Sequence, residues 1–565
     1  MHDDALPHTC LVDEKGRRRR GYSPHRFIFL RKISHHPVGT LREQCLQFTS
    51  SIYSPVYSNS WYVNHPYEAE KWFTFSLSAK VPPGSQLSGS DVAGVFYDHV
   101  FNHMPAHLLH IDNSGVRLIN RDDLHHVFRP EHATEEEIAL RMAKLPNRTR
   151  EEVIRNLVAE KLHYAILSHR WSSEGEVTFQ MVMENGLDGD SPGYAKLRKF
   201  CVTAEALGCK LAWADTCCID KTSSAELDEA IRSMFKWYRN SAVCIVLLVK
   251  ATAGQTSIRD DPWFTRGWTL QELLAPPKIK FYSADWVPLS TFSNDKKNTD
   301  IMHIISEITG IDRRNLRYFS PGLLNVREKM LWASTRKTTR VEDVAYSLLG
   351  IFDISMPIAY GEGKRAFRRL MEVIVNECRE WQIFAWAGPH SPYATSFPES
   401  PSGYRALTDA TAALMLSSGR LVHRPWDRVG YPFYAMTKKG LELEVLLVEV
   451  MLHIHREPVE GTTCERLTLS PGSENKRFFE NIQVVCDTRF LLFSQWAAGI
   501  INYQTDGAGN REGMAELETG REYICFFLGK GIYSPYGKWE KVETKEVVTI
   551  HTKEVLRRRV TTVWL

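Results

Sequence analysis

The sequence lacks the long apolar segments that membrane proteins need. Its strongest apolar run, Ala242–Val249, is short, whereas a membrane-spanning helix takes about 20 apolar residues. The first ten residues, MHDDALPHTC, contain no apolar segment of the kind found in a secretory signal. We therefore expect no membrane span and no secretion, and we predict a cytoplasmic location.

The chain also lacks an excess of charge of either sign and an ordered set of cysteines. Its 70 Lys and Arg residues nearly balance 67 Asp and Glu residues, so the charge predicts no nucleic-acid partner. Its 11 cysteines are odd in number and follow no disulfide-framework spacing. This usage is typical of an intracellular protein. With 565 residues and 43% apolar content, the chain is long enough for several globular domains.

Two further kinds of site are missing. Four histidines between His99 and His110 have near-helical spacing, but Pro105 interrupts them and no acidic or cysteine partner is nearby, so we predict no metal site. Gly361–Arg365 resembles part of a phosphate-binding loop, yet it lacks the first glycine and the Ser or Thr of the motif. The sequence therefore contains no obvious NTPase module.

What the sequence does contain is a regular alternation of strands and helices. Apolar segments predict four strands, which are Tyr164–Ser168, Lys210–Ala214, Ala242–Val249 and Lys278–Tyr282. The predicted helices between them are Tyr194–Leu207, the segment after Ser223 with Glu226 in a capping-box position, and Trp268–Ala275. This α/β alternation predicts a parallel sheet covered by helices.

Polar and tryptophan-rich segments follow three of the predicted strands. They are Ser168–Trp171, Asp215–Asp220 and Lys250–Trp268. Because the carboxyl ends of parallel strands lie at one edge of a sheet, and ligands bind there, we expect these segments to converge. The sequence thus places its candidate site at this edge.

The rest of the chain divides by composition. We predict an N-terminal extension of unknown role (1–115), an α/β domain (116–290), a helical segment (291–388), a Pro/Ser/Gly-rich linker (389–403) and a β-rich C-terminal domain (404–565). The last assignment depends on alternating runs such as LELEVLLVEVMLHI, RFLLFS and KEVVTIHTKEV.

Several short motifs, taken in order, resemble those of fungal heterokaryon incompatibility (HET) domains. They are VRLIN, YAILSHRW, LAWADTCCIDK and WFTRGWTLQELLAP. The stretch TTRVEDVAYSLLGIFDISMPIAYGEGKRAFRRLMEVI resembles the segment that follows this domain in many HET proteins, and the whole resemblance covers residues 116–388. The chain departs from the family pattern in the long spacing between VRLIN and YAILSHRW, and in Ser172, where Gly is frequent.

The resemblance implies a fold similar to Toll/interleukin-1 receptor (TIR) domains, with a flavodoxin-like parallel sheet and flanking helices. It implies a role in self/non-self recognition and programmed cell death, with self-association and an unidentified incompatibility or sensor partner. Many TIR domains cleave NAD with a glutamate shortly after a tryptophan, and Trp268 and Glu272 have that spacing. By this analogy NAD is a possible substrate, with no cofactor. The alternative is a non-enzymatic module that signals through homotypic contacts.

Glu272 is the predicted catalytic residue. A carboxylate can stabilise the oxocarbenium-like state formed when the nicotinamide–ribose bond breaks. The alternative is a helix N-terminal glutamate that interacts with the helix dipole. In either role we expect Glu272 to be an exposed charge at the strand ends.

The predicted substrate-binding residues are Ser168, His169, Arg170, Trp171, Asp215, Asp220 and Trp268. The two tryptophans would stack on nicotinamide or adenine, unless they are core aromatics. Arg170 would pair with a pyrophosphate, unless it pairs with Asp215 or Asp220 instead. The adjacent cysteines at 217 and 218 are predicted to pack, because nothing nearby would lower a thiol pKa.

Overall fold

In the computed structural model of the chain, the described residues are 91–127, 134–171, 175–251, 258–405, 433–459, 464–487, 493–505, 514–531 and 537–565. They belong to one of two units into which the chain divides, Leu87–Leu565. Most of the predicted N-terminal extension and of the RFLLFS strand lies outside the described residues.

A six-stranded sheet lies at the centre of the α/β region. Its strands are β1 (His107–Asp112), β2 (Gly115–Asn120), β3 (Tyr164–His169), β4 (Leu211–Trp213), β5 (Val243–Leu247) and β6 (Ile279–Tyr282). Their spatial order is β2-β1-β4-β3-β5-β6. Strands β4, β3, β5 and β6 are parallel, and every residue of β3, β5 and β6 is buried. The predicted parallel sheet is confirmed, and its burial is that of a sheet covered on both faces.

An antiparallel hairpin, β1–β2, completes this sheet. VRLIN forms the outer strand of the hairpin, and β1 lies between β2 and β4 with Leu109 opposite Ala212. Leu108 and Leu109 are fully buried. The sheet therefore begins at His107, and the predicted division between residues 115 and 116 lies within strand β2.

Eight helices accompany the sheet among the described residues. They are α1 (Asp91–His103), α2 (Leu124–Val127), α3 (Glu135–Lys144), α4 (Arg150–Lys161), α5 (Phe179–Asn185), α6 (Pro192–Ala206), α7 (Ser224–Asn240) and α8 (Thr269–Leu274). Ser223 caps α7 by accepting from the Glu226 N–H. The Glu226 carboxylate accepts the Asp220 N–H and lies 2.9 Å from His107, so it ties α7 to the preceding loop and to β1.

The helical segment follows the sheet as predicted. Its helices are α9 (Thr299–Thr309), α10 (Arg313–Arg317), α11 (Val326–Ala333), α12 (Asp343–Tyr346), α13 (Leu349–Phe352) and α14 (Arg365–Glu377). The predicted linker after it is folded, because β7 (His390–Ser391) pairs with β8 (Ala394–Pro398). Phe397 and Tyr404 are fully buried, and the Tyr404 hydroxyl donates to the Ile383 carbonyl. This stretch is thus part of the packed structure.

The C-terminal region is rich in β-strands, as predicted. Its strands are β9 (Tyr434–Thr437), β10 (Gly440–Pro458), β11 (Cys464–Pro471), β12 (Ile482–Asp487), β13 (Gln495–Ile500), β14 (Gln504–Thr505), β15 (Met514–Leu517), β16 (Glu522–Lys530), β17 (Glu540–Lys541), β18 (Val548–His551), β19 (Leu556–Arg559) and β20 (Thr561–Trp564). Nine of them share one antiparallel sheet, in which β12-β11-β10-β13-β16-β17 are successive neighbours. The closer likeness to TIR or flavodoxin folds stays a prediction.

The described residues contain neither a cluster of metal ligands nor a helix that could cross a membrane. No group of three or more His, Cys, Asp or Glu side chains there is placed to hold a metal ion, and the four spaced histidines are divided between α1 and β1. Over the same residues, the helices are all too short or too polar to cross a membrane.

Candidate functional site

Three buried side chains form the centre of the carboxyl edge of the parallel sheet. Ser168, near the end of β3, is fully buried. Its Oγ donates to Glu272 Oε2 over 2.5 Å and accepts from Trp263 Nε1 over 2.8 Å. These two bonds fix the orientation of the hydroxyl, whose O–H points toward the carboxylate.

Local structure places Glu272 and Trp263 at this edge. Glu272 lies in the first turn of α8, whose six residues are all buried. Trp263 lies in a 3-10 turn, Pro262–Thr265, capped by Asp261, whose carboxylate accepts the Trp263 N–H. The other oxygen of Asp261 accepts the Lys250 N–H over 2.7 Å. One carboxylate thus fixes the turn against the end of β5.

The environment of Glu272 favours its protonated form. Glu272 is 4% exposed, so the expectation that it is an exposed charge is wrong. Burial raises its pKa to about 7, and the negative charge of Asp215 acts in the same direction. The positive charge of Arg266 and hydrogen bonds from Ser168 and Tyr238 oppose this shift. A carboxylate with a pKa near neutrality is the kind that enzymes use for acid–base or charge-stabilising work.

Trp171 and two cations lie beside this centre. The indole N–H of Trp171 donates to Asp215 Oδ2 over 2.8 Å. Lys221 Nζ lies 4.3 Å and Arg266 Cζ 5.3 Å from the centre of its ring, within the range of a cation–π interaction. Trp171 is 38% exposed, so it is a surface aromatic rather than a core one.

Several buried polar atoms near this edge have no hydrogen-bond partner within the part of the chain that the structure describes. They are Nδ1 of His169, Oδ1 of Asp215 and Oγ1 of Thr216, whereas Nε2 of His169 lies 3.7 Å from the Glu176 carboxylate. His169 is 4% exposed, and burial lowers its pKa. Buried polar atoms of this kind are rare, and each costs about 1–3 kcal/mol. Their concentration here is what a site for a polar ligand requires.

Two predicted residues have other surroundings. Asp220 accepts from the N–H and hydroxyl of Thr222 and from Gln180, so its carboxylate is used to close the turn before α7. Arg170 is exposed, and among the described residues it forms no ion pair with either aspartate. Asp215 is bonded to Trp171 instead. The structural pairing that was the alternative role of Arg170 is therefore absent from this part of the chain.

Trp268 faces the helical segment. Its indole N–H donates to Asp343 Oδ2, in α12, over 3.1 Å. The tryptophan bonded to the Ser168–Glu272 pair is Trp263, which is not among the predicted site residues. The available signal was the Asp-Pro-Trp triplet at 261–263, because Asp before Pro is typical of the start of a helical turn.

The helical segment also contributes an arginine to the support of the site. Arg336 Nη1 donates to the Arg266 carbonyl over 3.0 Å and to Thr269 Oγ1 over 2.9 Å. Thr269 is the first residue of α8. Arg336 thus holds the start of the helix that presents Glu272. The adjacent thiols of Cys217 and Cys218 are buried, in agreement with the packing role predicted for them.

Comparison with known proteins identifies part of this region. Residues 164–257 match the family model described as heterokaryon incompatibility protein (HET). The "Vegetative incompatibility protein HET-E-1" of Podospora anserina is 42% identical over 222 residues, which are 37% of this chain and 16% of that protein. The chain therefore matches less than a fifth of the length of this relative. No solved structure matches the chain.

Proposed function

The chain carries a HET domain at residues 164–257, as its motifs predicted, and from this we propose that it is a vegetative-incompatibility effector that triggers cell death by cleaving NAD. In this proposal the domain is TIR-like and acts in the cytoplasm. It self-associates when an unidentified incompatibility or sensor partner is recognised. NAD is the substrate, and no cofactor takes part.

The observation that supports cleavage most directly is the setting of Glu272. Its carboxylate is buried, is oriented by Ser168 and has a pKa raised to about 7. It lies at the edge of the sheet where the unpartnered polar atoms of His169, Asp215 and Thr216 are found.

The proposed reaction needs one anion and one water. The bond between ribose C1′ and the nicotinamide nitrogen breaks, and nicotinamide leaves with the electron pair. Ionised Glu272 stabilises the positive charge on the ribose, and a water oxygen then bonds to C1′ and releases a proton. Ser168 holds the carboxylate in place, and Trp171 offers an aromatic face to a base. The products are nicotinamide and ADP-ribose.

One observation favours the non-enzymatic alternative. Two cavities, of about 480 and 100 Å³, are present near this edge, and Glu272 lines neither of them. In the alternative, Glu272 stabilises the first turn of α8, and the HET domain acts through homotypic contacts alone.

Turnover distinguishes the two functions. The full-length protein is incubated with NAD, with and without a crosslinker or a crowding agent, and free nicotinamide is measured. Release that increases on oligomerisation supports the effector enzyme. No release under any of these conditions, from protein that is folded by circular dichroism, supports the signalling module.

A further inference from the structure

The turn that leads into α8 is paired with a short stretch of the helical segment, residues 336–343. The Lys337 N–H donates to the Thr265 carbonyl over 2.7 Å, and the Lys337 carbonyl accepts the Gly267 N–H over 2.8 Å. A Cβ on Gly267 would lie 2.4 Å from Thr338 Cγ2, so this close approach requires glycine. The stretch therefore fixes the backbone just before α8 begins.

The side chain of Arg336 makes a second connection to this helix. Its Nη1 donates to Thr269 Oγ1 over 2.9 Å, and the Thr269 hydroxyl donates to the Trp263 carbonyl over 2.6 Å. The indole of Trp263 in turn donates to Ser168, whose hydroxyl is bonded to Glu272. Arg336 therefore supports both partners of the Ser168 hydroxyl, one through the 3-10 turn and the other through the first turn of α8.

Arg336 is also a charged neighbour of Glu272. Burial lowers the pKa of Arg336 to about 9, and the charge of Glu272 opposes this shift, so the guanidinium is charged at neutral pH. Within the described part of the chain, the hydrogen-bond partners of Arg336 are carbonyls and one hydroxyl, so the two charges act on each other through space. Because a Coulomb interaction is mutual, the charge of Arg336 favours the ionised form of Glu272.

Four other titratable groups surround Glu272. Asp215, after β4, disfavours the ionised carboxylate, whereas Arg266, before α8, and the hydroxyl of Tyr238, in α7, favour it. Cys244, in β5, has a pKa that burial raises well above its ordinary value, so its thiol is neutral. Burial of Glu272 acts with Asp215, and the positive charges oppose them. Loss of one positive charge would therefore shift the carboxylate toward its protonated form.

We propose that Arg336 is a positioning residue for Glu272, which it orients through the first turn of α8 and whose ionised form it supports by its charge. The inference rests on the proposed function, in which the ionised carboxylate acts on NAD. It makes residues 336–343 of the helical segment part of the active unit, although the family match ends at residue 257. The HET domain alone would then have an incomplete site.

The pH profile of nicotinamide release by the full-length protein tests the role of Arg336. In Arg336→Gln, kcat should fall by roughly tenfold to a hundredfold, the scale for a misplaced catalytic group, with little change in KM. The midpoint of the profile should rise by roughly one pH unit, because a positive charge is lost. Arg336→Lys keeps the charge but not the planar fork, so kcat should fall while the midpoint stays. Arg313→Gln, at an exposed position of the same segment, should behave as the native protein.

A second measurement needs no turnover. The stability difference between the native protein and Glu272→Gln changes with pH and levels off above the folded pKa of Glu272. In the Arg336→Gln background it should level off roughly one pH unit higher. If the native protein releases no nicotinamide, the proposed function fails, and this measurement still decides whether Arg336 acts on Glu272.

Three results overturn the role of Arg336. One is a folded Arg336→Gln protein with the native midpoint and the native level-off. If Arg336→Gln does not fold, Arg336→Lys decides instead. A native kcat in that variant would remove the orienting role, and a shifted level-off would show that the charge is not what Arg336 supplies.

Discussion

Glu272 at the sheet edge and Lys541 in the β-rich region are both buried, at 4% and 5% exposure, but their surroundings differ. Glu272 is hydrogen-bonded by Ser168 and lies among polar and charged groups. Lys541 Nζ lies 3.6 Å from the ring centre of Trp386 and 5.5 Å from that of Phe526. Burial raises the pKa of Glu272 to about 7 and lowers that of Lys541 to about 7.

The contrast separates two uses of a buried ionisable group. The aromatic faces around Lys541 serve as its local partners and join β17 to the end of the helical segment, so it is part of the packing. The groups around Glu272 include buried polar atoms that the protein leaves unsatisfied. Trp386, beside Lys541, also has a buried indole N–H without a partner among the described residues. A near-neutral pKa or one unsatisfied neighbour therefore does not mark a site; the unsatisfied atoms of several residues beside one carboxylate do.

The most stringent test of the role of Glu272 is Glu272→Gln, which keeps the shape of the side chain and removes its charge. Nicotinamide release should fall by roughly two to four orders of magnitude, the scale for loss of a preorganised charge-stabilising group. Glu184→Gln, at an exposed position of the same domain, should retain activity. A folded Glu272→Gln protein with undiminished release would remove Glu272 from the mechanism.

Lys541→Met tests whether the buried charge of Lys541 lowers the stability of the folded protein. The depressed pKa of Lys541 means that stability is lost as the pH falls from about 10.5 to about 7. An apolar side chain of similar length has no such dependence, so the variant should be more stable than the native protein at pH 6, by about 1–4 kcal/mol. Chemical denaturation at pH 6 and pH 9 measures this, with nicotinamide release unchanged. Lower stability at pH 6 would mean that the aromatic faces compensate the charge fully.

Glu272 should give the opposite pH dependence. The pKa of Glu272 is about 7 in the folded protein and about 4.5 in the unfolded chain. Its contribution to stability is therefore complete below pH 4.5 and is lost as the pH rises through about 7. Glu272→Gln should remove this loss and be more stable than the native protein at pH 8, by about 3 kcal/mol. At pH 4.5 the two proteins should unfold at similar denaturant concentrations. Equal stability at pH 8 would show that the carboxylate is ionised without penalty.

The smallest expected effect is on the KM for NAD, and it distinguishes the role of Trp171 from that of Trp268. Trp171→Phe removes the bond to Asp215 from an exposed ring, and the KM for NAD should rise by roughly three- to tenfold, equivalent to about 1 kcal/mol. Trp268→Phe removes the bond to Asp343 and should leave KM unchanged, with a slightly lower melting temperature. An increase in KM for Trp268→Phe alone would restore Trp268 to the substrate site.

The parallel strands could be predicted because their information is local. Continuous apolar runs such as Ala242–Val249 predict a strand that is buried on both faces. Strand β1, HLLHID, was missed because its histidines interrupt the apolar pattern and its burial depends on β2 and β4. The edge location of Ser168 and Asp215 followed from the topology of the sheet.

The individual contacts of the site could not be predicted, because they are set by side-chain packing between distant segments. Trp263 and Trp268 are five residues apart and chemically identical, yet one is bonded to Ser168 and the other to Asp343. The burial of Glu272 depends on where α8 packs, and Arg336 reaches it from the helical segment. Sequence spacing selects candidates but does not fix the direction of a side chain.

The bond between Ser168 and Glu272 joins residues 104 positions apart, and this separation has a consequence during synthesis. At about 5–20 residues per second, translation adds Glu272 roughly 5–20 s after Ser168. Arg336, which secures the start of α8, is translated later still. A growing chain therefore cannot assemble the complete edge early, and any toxic activity that resides there is delayed until the helical segment has left the ribosome.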